Sequence, residues 1–229
     1  MRAPLCRQIL FVLLAGASAT PLLAQNAPLS FEGFLDSTVL TNQYIGVTFS
    51  NAIILTAGNS LDEFEVPPHA GTNVASDNTG PMTIVFASPV RSFSGYFTYG
   101  VPLSIQAFGS SNNAVGSAAS PYSDNEAISG VSGSHANELL QVASAAGIYK
   151  VVIAGSAQGA SFTVDDIALI TRCDVNQDTL TNVNDVQAMV NEALGATVGA
   201  DDLNADGTVN IVDVQTVINA ALSLGCAAK

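Results

Sequence analysis

The chain has 229 residues, 48% of them hydrophobic, which is enough for a packed domain of ordinary size and a smaller companion and excludes global disorder. Nineteen acidic residues against six basic ones give a formal net charge of −13. That balance leaves no basic patch and argues against nucleic acid and anionic membrane surfaces as partners.

The first segment reads as an address. Arg2 and Arg7 make a positive start, Ile9 to Ala15 a short apolar run, and small residues follow, with cleavage expected after Ala19 or Ala24. Residues 1–24 are therefore expected to be a bacterial-type signal peptide, and the mature chain to be secreted to the extracellular space or the cell surface. The apolar run is too short for a membrane span, and no later stretch is long enough to make one. Cys6 leaves with this leader, so Cys173 and Cys226 remain, 53 residues apart. In an exported protein such a pair reads as a disulfide, the alternative being two free thiols.

Residues 27–172 are rich in Gly, Ser, Thr, Val and Phe and show no helical period. Alternating or short apolar runs predict strands at Ser30–Phe34, Tyr44–Phe49, Ile53–Thr56, Met82–Ala87, Val90–Tyr99, Leu103–Phe108, Leu139–Ala143, Ile148–Ala154 and Phe162–Ile170. Phe93, Phe97 and Tyr99 share one parity and Tyr96 the other. Ser110–Ser134, poor in bulky apolar residues, is expected to be mostly loop. Many short strands without helices make the fold class mainly β, a two-sheet jelly-roll-like β-sandwich. In Phe162–Ile170 the apolar phase switches, so a bulge is expected at Asp165-Asp166.

With Glu32 in Phe31-Glu32-Gly33 and the pair Asp165-Asp166, this part resembles galactose-binding-like, carbohydrate-module-type sandwiches. The resemblance implies one structural calcium held by Glu32 and Asp165, with Asp166 beside them. Read from the residues alone, these are equally carboxylates solvated or bonded to N–H groups at a sheet edge. The run Asp62–Asn73 also looks like sandwich domains of exported bacterial surface proteins that end in a sorting anchor, but this chain lacks their apolar, basic-flanked tail.

No catalytic constellation is evident. His69 stands near Asp62, Glu63 and Glu65, where a small metal or acid–base site is conceivable, but no second His at metal-ligand spacing and no G-x-S-x-G elbow accompanies it. A loop histidine is the plainer reading. A glycosidase-like carboxylate pair stays open, because distant carboxylates can meet in space. Tyr44, Tyr96, Tyr99 and Tyr122 are the aromatic candidates for sugar contact.

The most informative stretch is Asp174 to Asp213. DVNQDTLTNVND places oxygen side chains at loop positions 1, 3, 5, 9 and 12 as Asp174, Asn176, Asp178, Asn182 and Asp185. DLNADGTVNIVD repeats this as Asp202, Asn204, Asp206, Asn210 and Asp213. Calcium takes six to eight oxygens, and a twelve-residue loop with this spacing wraps them around one point. Each loop leads into an apolar stripe at helical spacing: Val186, Met189, Val190, Ala193 and Leu194, then Val214, Val217, Ile218, Ala221 and Leu222. Gly195 and Gly225 are expected to stop the two helices.

Residues 186–201 leave room for one exiting helix and a turn, not for a helix entering the second loop as well. A duplicated loop-plus-exiting-helix unit resembles the type I dockerin, over about 173–226, and makes 173–229 a small all-α domain. The resemblance implies two calcium ions. The first would be held by Asp174, Asn176, Asp178 and Asp185 with the Leu180 carbonyl, and the second by Asp202, Asn204, Asp206 and Asp213 with the Thr208 carbonyl. Asn182 and Asn210 would act through water. It also implies a cohesin-like protein partner, met at loop positions 10 and 11: Val183 and Asn184, Ile211 and Val212. Position 6 needs a sharp turn; the second loop has Gly207 there and the first Thr179, so the first site is expected to bind more weakly.

The expected protein is thus an exported, non-catalytic binding protein, with calcium-dependent docking at its C-terminal module and a sandwich whose ligand is a carbohydrate candidate. The contrasting readings are a secreted carbohydrate-active hydrolase and a purely structural envelope protein.

Overall fold

Two long strands organise the computed structural model, which describes residues 28–229. The expected signal peptide and Cys6 lie outside the described residues. In chain order the strands are β1 (Val39–Leu40), β2 (Val47–Ser50), β3 (Ala52–Thr56), β4 (Asn73–Asp77), β5 (Met82–Tyr99), β6 (Ser104–Phe108), β7 (Ala114–Ala119), β8 (Glu138–Ala154) and β9 (Phe162–Thr171). Two helices follow, α1 (Val183–Ala193) and α2 (Ile211–Ala221).

The strand pairs are antiparallel, and β5 takes part in two neighbourhoods. Its first part, Met82–Phe86, lies between β2 and the end of β8, with β6 and β7 beyond. Its second part, Val90–Tyr99, lies between the start of β8 and β9, with β4, β3 and β1 beyond. Between them the register shifts at Val85/Val90, where Pro89 supplies no N–H to a ladder. The two layers are therefore joined through β5 and β8 rather than being separate sheets, and the expected pairs of runs, Met82–Ala87 with Val90–Tyr99 and Leu139–Ala143 with Ile148–Ala154, are each one strand. Strands that change layer at a bulge form the corners of such sandwiches.

One core fills the space between the layers, with Phe31, Phe49, Ile84, Phe93, Phe97 and Ile153 among its buried residues. Tyr99 is buried with Phe93 and Phe97, while Tyr96, of opposite parity, is only half-buried. In β9 three residues, Asp165 to Ile167, span what two span on β5, and Asp166 has φ 47°. That is the expected bulge, and it returns Ile167 to the buried face after Val164.

Three departures have local causes. Ser30–Phe34 is not a strand: Leu29 alone bridges to Ile167, and Phe31 turns at φ 60° to bury its ring. The stretch Asn73–Asp77 is a strand although only two of its residues are apolar. Its polar side chains are buried and spoken for: Asn73 donates to the Phe31 and Phe34 carbonyls, Ser76 to the Phe162 carbonyl, and Asp77 accepts from Ser161 and Phe162. Part of the expected loop 110–134 is β7, an edge strand of small residues.

In the C-terminal module α1 and α2 pack around Met189, Val214, Val217 and Ala220, with Leu203 and the Cys173–Cys226 disulfide (Cα–Cα 5.8 Å) in the same cluster. Leu194 and Leu222, expected in the apolar stripes, are 79% and 64% exposed, because each is the C-cap residue beyond its helix. Gly195 ends α1 at φ 70° as expected, with Ala196 N–H reaching back to the Asn191 carbonyl. Ser223, not Gly225, does the same for α2, at φ 61° with Leu224 N–H on the Asn219 carbonyl.

Candidate functional site

The two loops before the helices have one hydrogen-bond plan used twice. Asp174 accepts the main-chain N–H of Asp178 at 3.1 Å and of Thr179 at 2.9 Å; Asp202 accepts those of Asp206 at 3.2 Å and Gly207 at 2.7 Å. Asn176 and Asn204 each accept the N–H two residues on at 2.9 Å and donate to the following aspartate, Asp178 or Asp206. Asp185 closes the first loop on the N–H groups of Asn176 (3.1 Å) and Asn182 (2.8 Å). Asp213 closes the second on Leu203 (2.8 Å), Asn204 (3.2 Å) and Asn210 (2.9 Å).

Asn182 and Asn210 also cap the helices, each accepting the N–H two residues later at 2.8 Å. Their amides donate to the Leu180 and Thr208 carbonyls, both at 3.2 Å. The backbone repeats too: Gln177 and Ala205 both have φ 59°, and position 6 is left-handed in each, Thr179 at 76° and Gly207 at 92°.

The loops differ in surroundings. Asp174 is buried, and burial together with the charges of Asp185 and Asp178 pushes its carboxyl up, against the pull of the Thr179 and Asp178 N–H groups. Asp206 stands in solvent, and hydrogen bonds from Asn204 and Thr208 pull it down. Each loop carries three aspartates, an asparagine and a main-chain carbonyl at the expected positions, oxygen donors throughout, the chemistry a hard cation such as calcium takes. Among the described residues no group of three or more His, Cys, Asp or Glu side chains is positioned to hold a metal ion, so asparagine and main-chain oxygens would have to complete either set. At positions 10 and 11, on the first turn of each helix, Val183 and Ile211 are each 74% exposed, with Asn184 and Val212 beside them also exposed.

Glu32 and Asp165 grip a single loop. Glu32 Oε1 accepts the N–H of Thr72 at 2.8 Å and of Asn73 at 2.9 Å; Asp165 Oδ2 accepts those of His69 and Ala70, both at 3.0 Å. Gly71 lies between the two grips, and a Cβ there would stand 2.3 Å from Glu32 Oε1. Both carboxylates thus serve main-chain donors. Burial pushes Asp165 up to about 6 in spite of its three N–H bonds. The His69 ring stacks on Tyr96 with centroids 3.5 Å apart, and its Nδ1 lies 2.7 Å from Asp166 Oδ2. These contacts hold His69 against β5 and the bulge. Tyr44 and Tyr99 are core residues, which leaves Tyr96 and Tyr122 half-buried.

Two relationships escape a reading of the sequence alone. Asn125 is fully buried, accepting from Tyr99 N–H and donating to the Phe97 and His135 carbonyls. Arg91 on β5 pairs with Asp201, joining the sandwich to the C-terminal module. The only signal for it was the scarcity of cations in an acidic chain.

No protein-family model and no curated protein matches the chain. Among solved structures it is similar to the K2 cleaved adhesin domain of Lys-gingipain, at 14% identity and a TM-score of 0.41, over 61% of this chain and 96% of that one. The K1 cleaved adhesin domain of the Porphyromonas gingivalis protein is similar at 10% identity and a TM-score of 0.38, over 62% and 95%. CsCBM6-3 from Clostridium stercorarium, solved with cellobiose, is similar at 15% identity and a TM-score of 0.32, over 58% and 92%.

Proposed function

We propose that this chain is an exported, non-catalytic binding protein, whose C-terminal module is ordered by two calcium ions and docks onto a cohesin-like protein domain while the sandwich binds carbohydrate. The observation that carries the reading is the duplicated loop plan. From Asp174 to Asp185 and from Asp202 to Asp213, the same side chains accept corresponding main-chain N–H groups and lead into capped helices that bury one another.

Calcium would supply the positive charge that lets several carboxylates share a loop. The chain's own residues do the rest. Asp185 and Asp213 tie each loop to the start of its helix, so ordering a loop orders the first turn that presents Val183, Asn184, Ile211 and Val212. The disulfide closes the module at its two ends.

The test is calorimetry of the mature chain with calcium, followed by binding to a recombinant cohesin-like domain in calcium and in chelator. Two bound ions and capture that chelator abolishes are expected, with capture weakened at least tenfold by Val183→Asp or Ile211→Asp. Absence of calcium binding, or capture indifferent to chelator, would sink the docking role. Release of reducing ends from a polysaccharide panel would overturn the non-catalytic reading.

A further inference from the structure

The end of the sandwich where the segments after β3, β5 and β8 meet the Glu126 segment contains a cleft of about 470 Å³. Leu61, Val66 and Val101 give it apolar wall, and Asp62 and Glu126, far apart in sequence, both line it. Other polar groups there are already engaged. Ser60 bonds Asp36, Ser76 bonds the Phe162 carbonyl, Ser161 bonds Asp77, and Asp62 Oδ1 accepts the Phe64 N–H at 3.1 Å, which leaves Oδ2 as its open oxygen.

Glu126 is the exception. Its main-chain N–H is held by Asp124 at 2.8 Å, but its carboxylate has no hydrogen-bond partner among the described residues. It is half-buried, and the carboxylates of Asp124 and Glu65 lie close enough to oppose its charge. Gly100 makes room for it: a Cβ at that position would stand 2.6 Å from Glu126 Oε1. A partly desolvated acceptor, placed against a strand end with no donor from the described residues, is open to a donor from outside.

We infer that this cleft is the sugar site of the sandwich and that it takes neutral carbohydrate, whose hydroxyls donate to Glu126 and Asp62 while a C–H face of the ring rests on Leu61, Val66 and Val101. The inference rests on the carbohydrate-binding reading above and adds a place and a charge rule to it. A uronate would bring a further carboxylate beside Glu126, Asp62, Glu65 and Asp124, with no cation of the sandwich lining the cleft to receive it.

The test is titration of the mature protein with neutral oligosaccharides (cello-, xylo-, manno- and galacto-series) and with oligouronates, repeated for Glu126→Gln and for Gly100→Ala, with melting curves to show that each variant folds. Neutral sugars bound in preference to uronates, with a loss of about tenfold in either variant, is the expected result, the magnitude being that of a hydrogen bond to a charged group. Neutral sugars bound equally by wild type and both folded variants would overturn this placement and leave the carbohydrate reading standing. Oligouronates bound as tightly as neutral sugars would overturn the charge rule. No sugar bound by folded wild-type protein would overturn the inference and the reading beneath it.

Discussion

Arg91 of β5 forms an ion pair with Asp201, the residue immediately before the second calcium-type loop, and both side chains are largely buried between the sandwich and the C-terminal module. The Asp201 main-chain N–H is held in turn by Glu192 of α1 at 3.1 Å. Arg172, at the end of the sandwich, donates to the Lys229 carbonyl, so a second cation also bridges the two parts. Few cations exist in this chain, and these two are placed where the modules meet.

Removing Arg91 leaves a buried carboxylate without its partner, a change of about 3–5 kcal/mol in comparable sites. Arg91→Ala is therefore expected to separate the thermal unfolding of the module from that of the sandwich, giving two calorimetric transitions where the wild type gives one. The double variant Arg91→Met, Asp201→Leu should recover most of the loss. A single unshifted transition in Arg91→Ala would show that the ion pair does not couple the modules.

Thr179 and Gly207 hold the same left-handed turn, at φ 76° and 92°, in loops otherwise built alike. A β-branched residue there costs about 1–2 kcal/mol, which is roughly a five- to thirtyfold weaker site. Around Gly207 no atom lies within 4 Å of an added Cβ, so the cost is one of backbone conformation rather than of space. Thr179→Gly is expected to bring the weaker calcium step of the mature chain toward the stronger one, and Gly207→Thr to weaken the stronger. Calorimetry that finds Thr179→Gly without effect on either step would rule out the turn as the source of inequality.

The fully buried Asn125 side chain ties the long segment between β7 and β8 to β5 through two hydrogen bonds and braces that segment on itself through a third, to the His135 carbonyl. Asn125→Ala strands the Tyr99 N–H and the Phe97 carbonyl, a loss of about 3 kcal/mol by the cost of unsatisfied buried groups. Denaturant unfolding should show the lower midpoint with an unchanged slope. Because Glu126 follows directly, the same variant should also weaken binding at the end cleft.

What the sequence made legible was whatever repeats or alternates. The loops at Asp174 and Asp202, the buried parity of Phe93 and Phe97 and the bulge at Asp165-Asp166 are all local patterns, and each is found in the fold. What it hid depends on partners distant in the chain. β4 is buried through the hydrogen bonds of Asn73, Ser76 and Asp77, not through apolar side chains, so periodicity could not find it. Ser223 ends α2 in place of Gly225 because it stands where Gly195 stands in the first copy of the repeat, and the chain accepts a serine at positive φ there. The grip of Glu32 and Asp165 on the loop His69–Asn73 links positions 40 and 96 residues apart, and only the folded chain brings them together.

The Cys173–Cys226 disulfide closes a segment of 53 residues, a constraint worth about 4 kcal/mol on the chain-entropy model. Reduction, or Cys226→Ser, should lower the melting temperature of the module in chelator, and saturating calcium should raise it again, since bound ions stabilise the same folded form by mass action. Calcium affinity should fall in parallel, because part of the binding energy then goes into folding. A variant with unchanged affinity and unchanged melting in chelator would show that the module folds without its closure.

Asp165 gives the sandwich a pH dependence whose sign is set by its burial. Its carboxyl lies at about 6 in the fold against an ordinary value of 3.8, so the native state holds the proton more tightly than the unfolded chain. Between those values stability from this residue falls as pH rises, and the contribution present below 3.8 is gone above about 6. Asp165→Asn keeps an oxygen for the His69 and Ala70 N–H groups and cannot ionise. In chelator, the melting temperature of the variant relative to wild type should therefore climb between pH 4 and pH 7. A flat difference would show that the carboxyl titrates near its ordinary value. A difference that climbs in chelator but reverses in calcium would place a cation on Asp165 at neutral pH, the expectation drawn for Glu32 and Asp165 from the sequence.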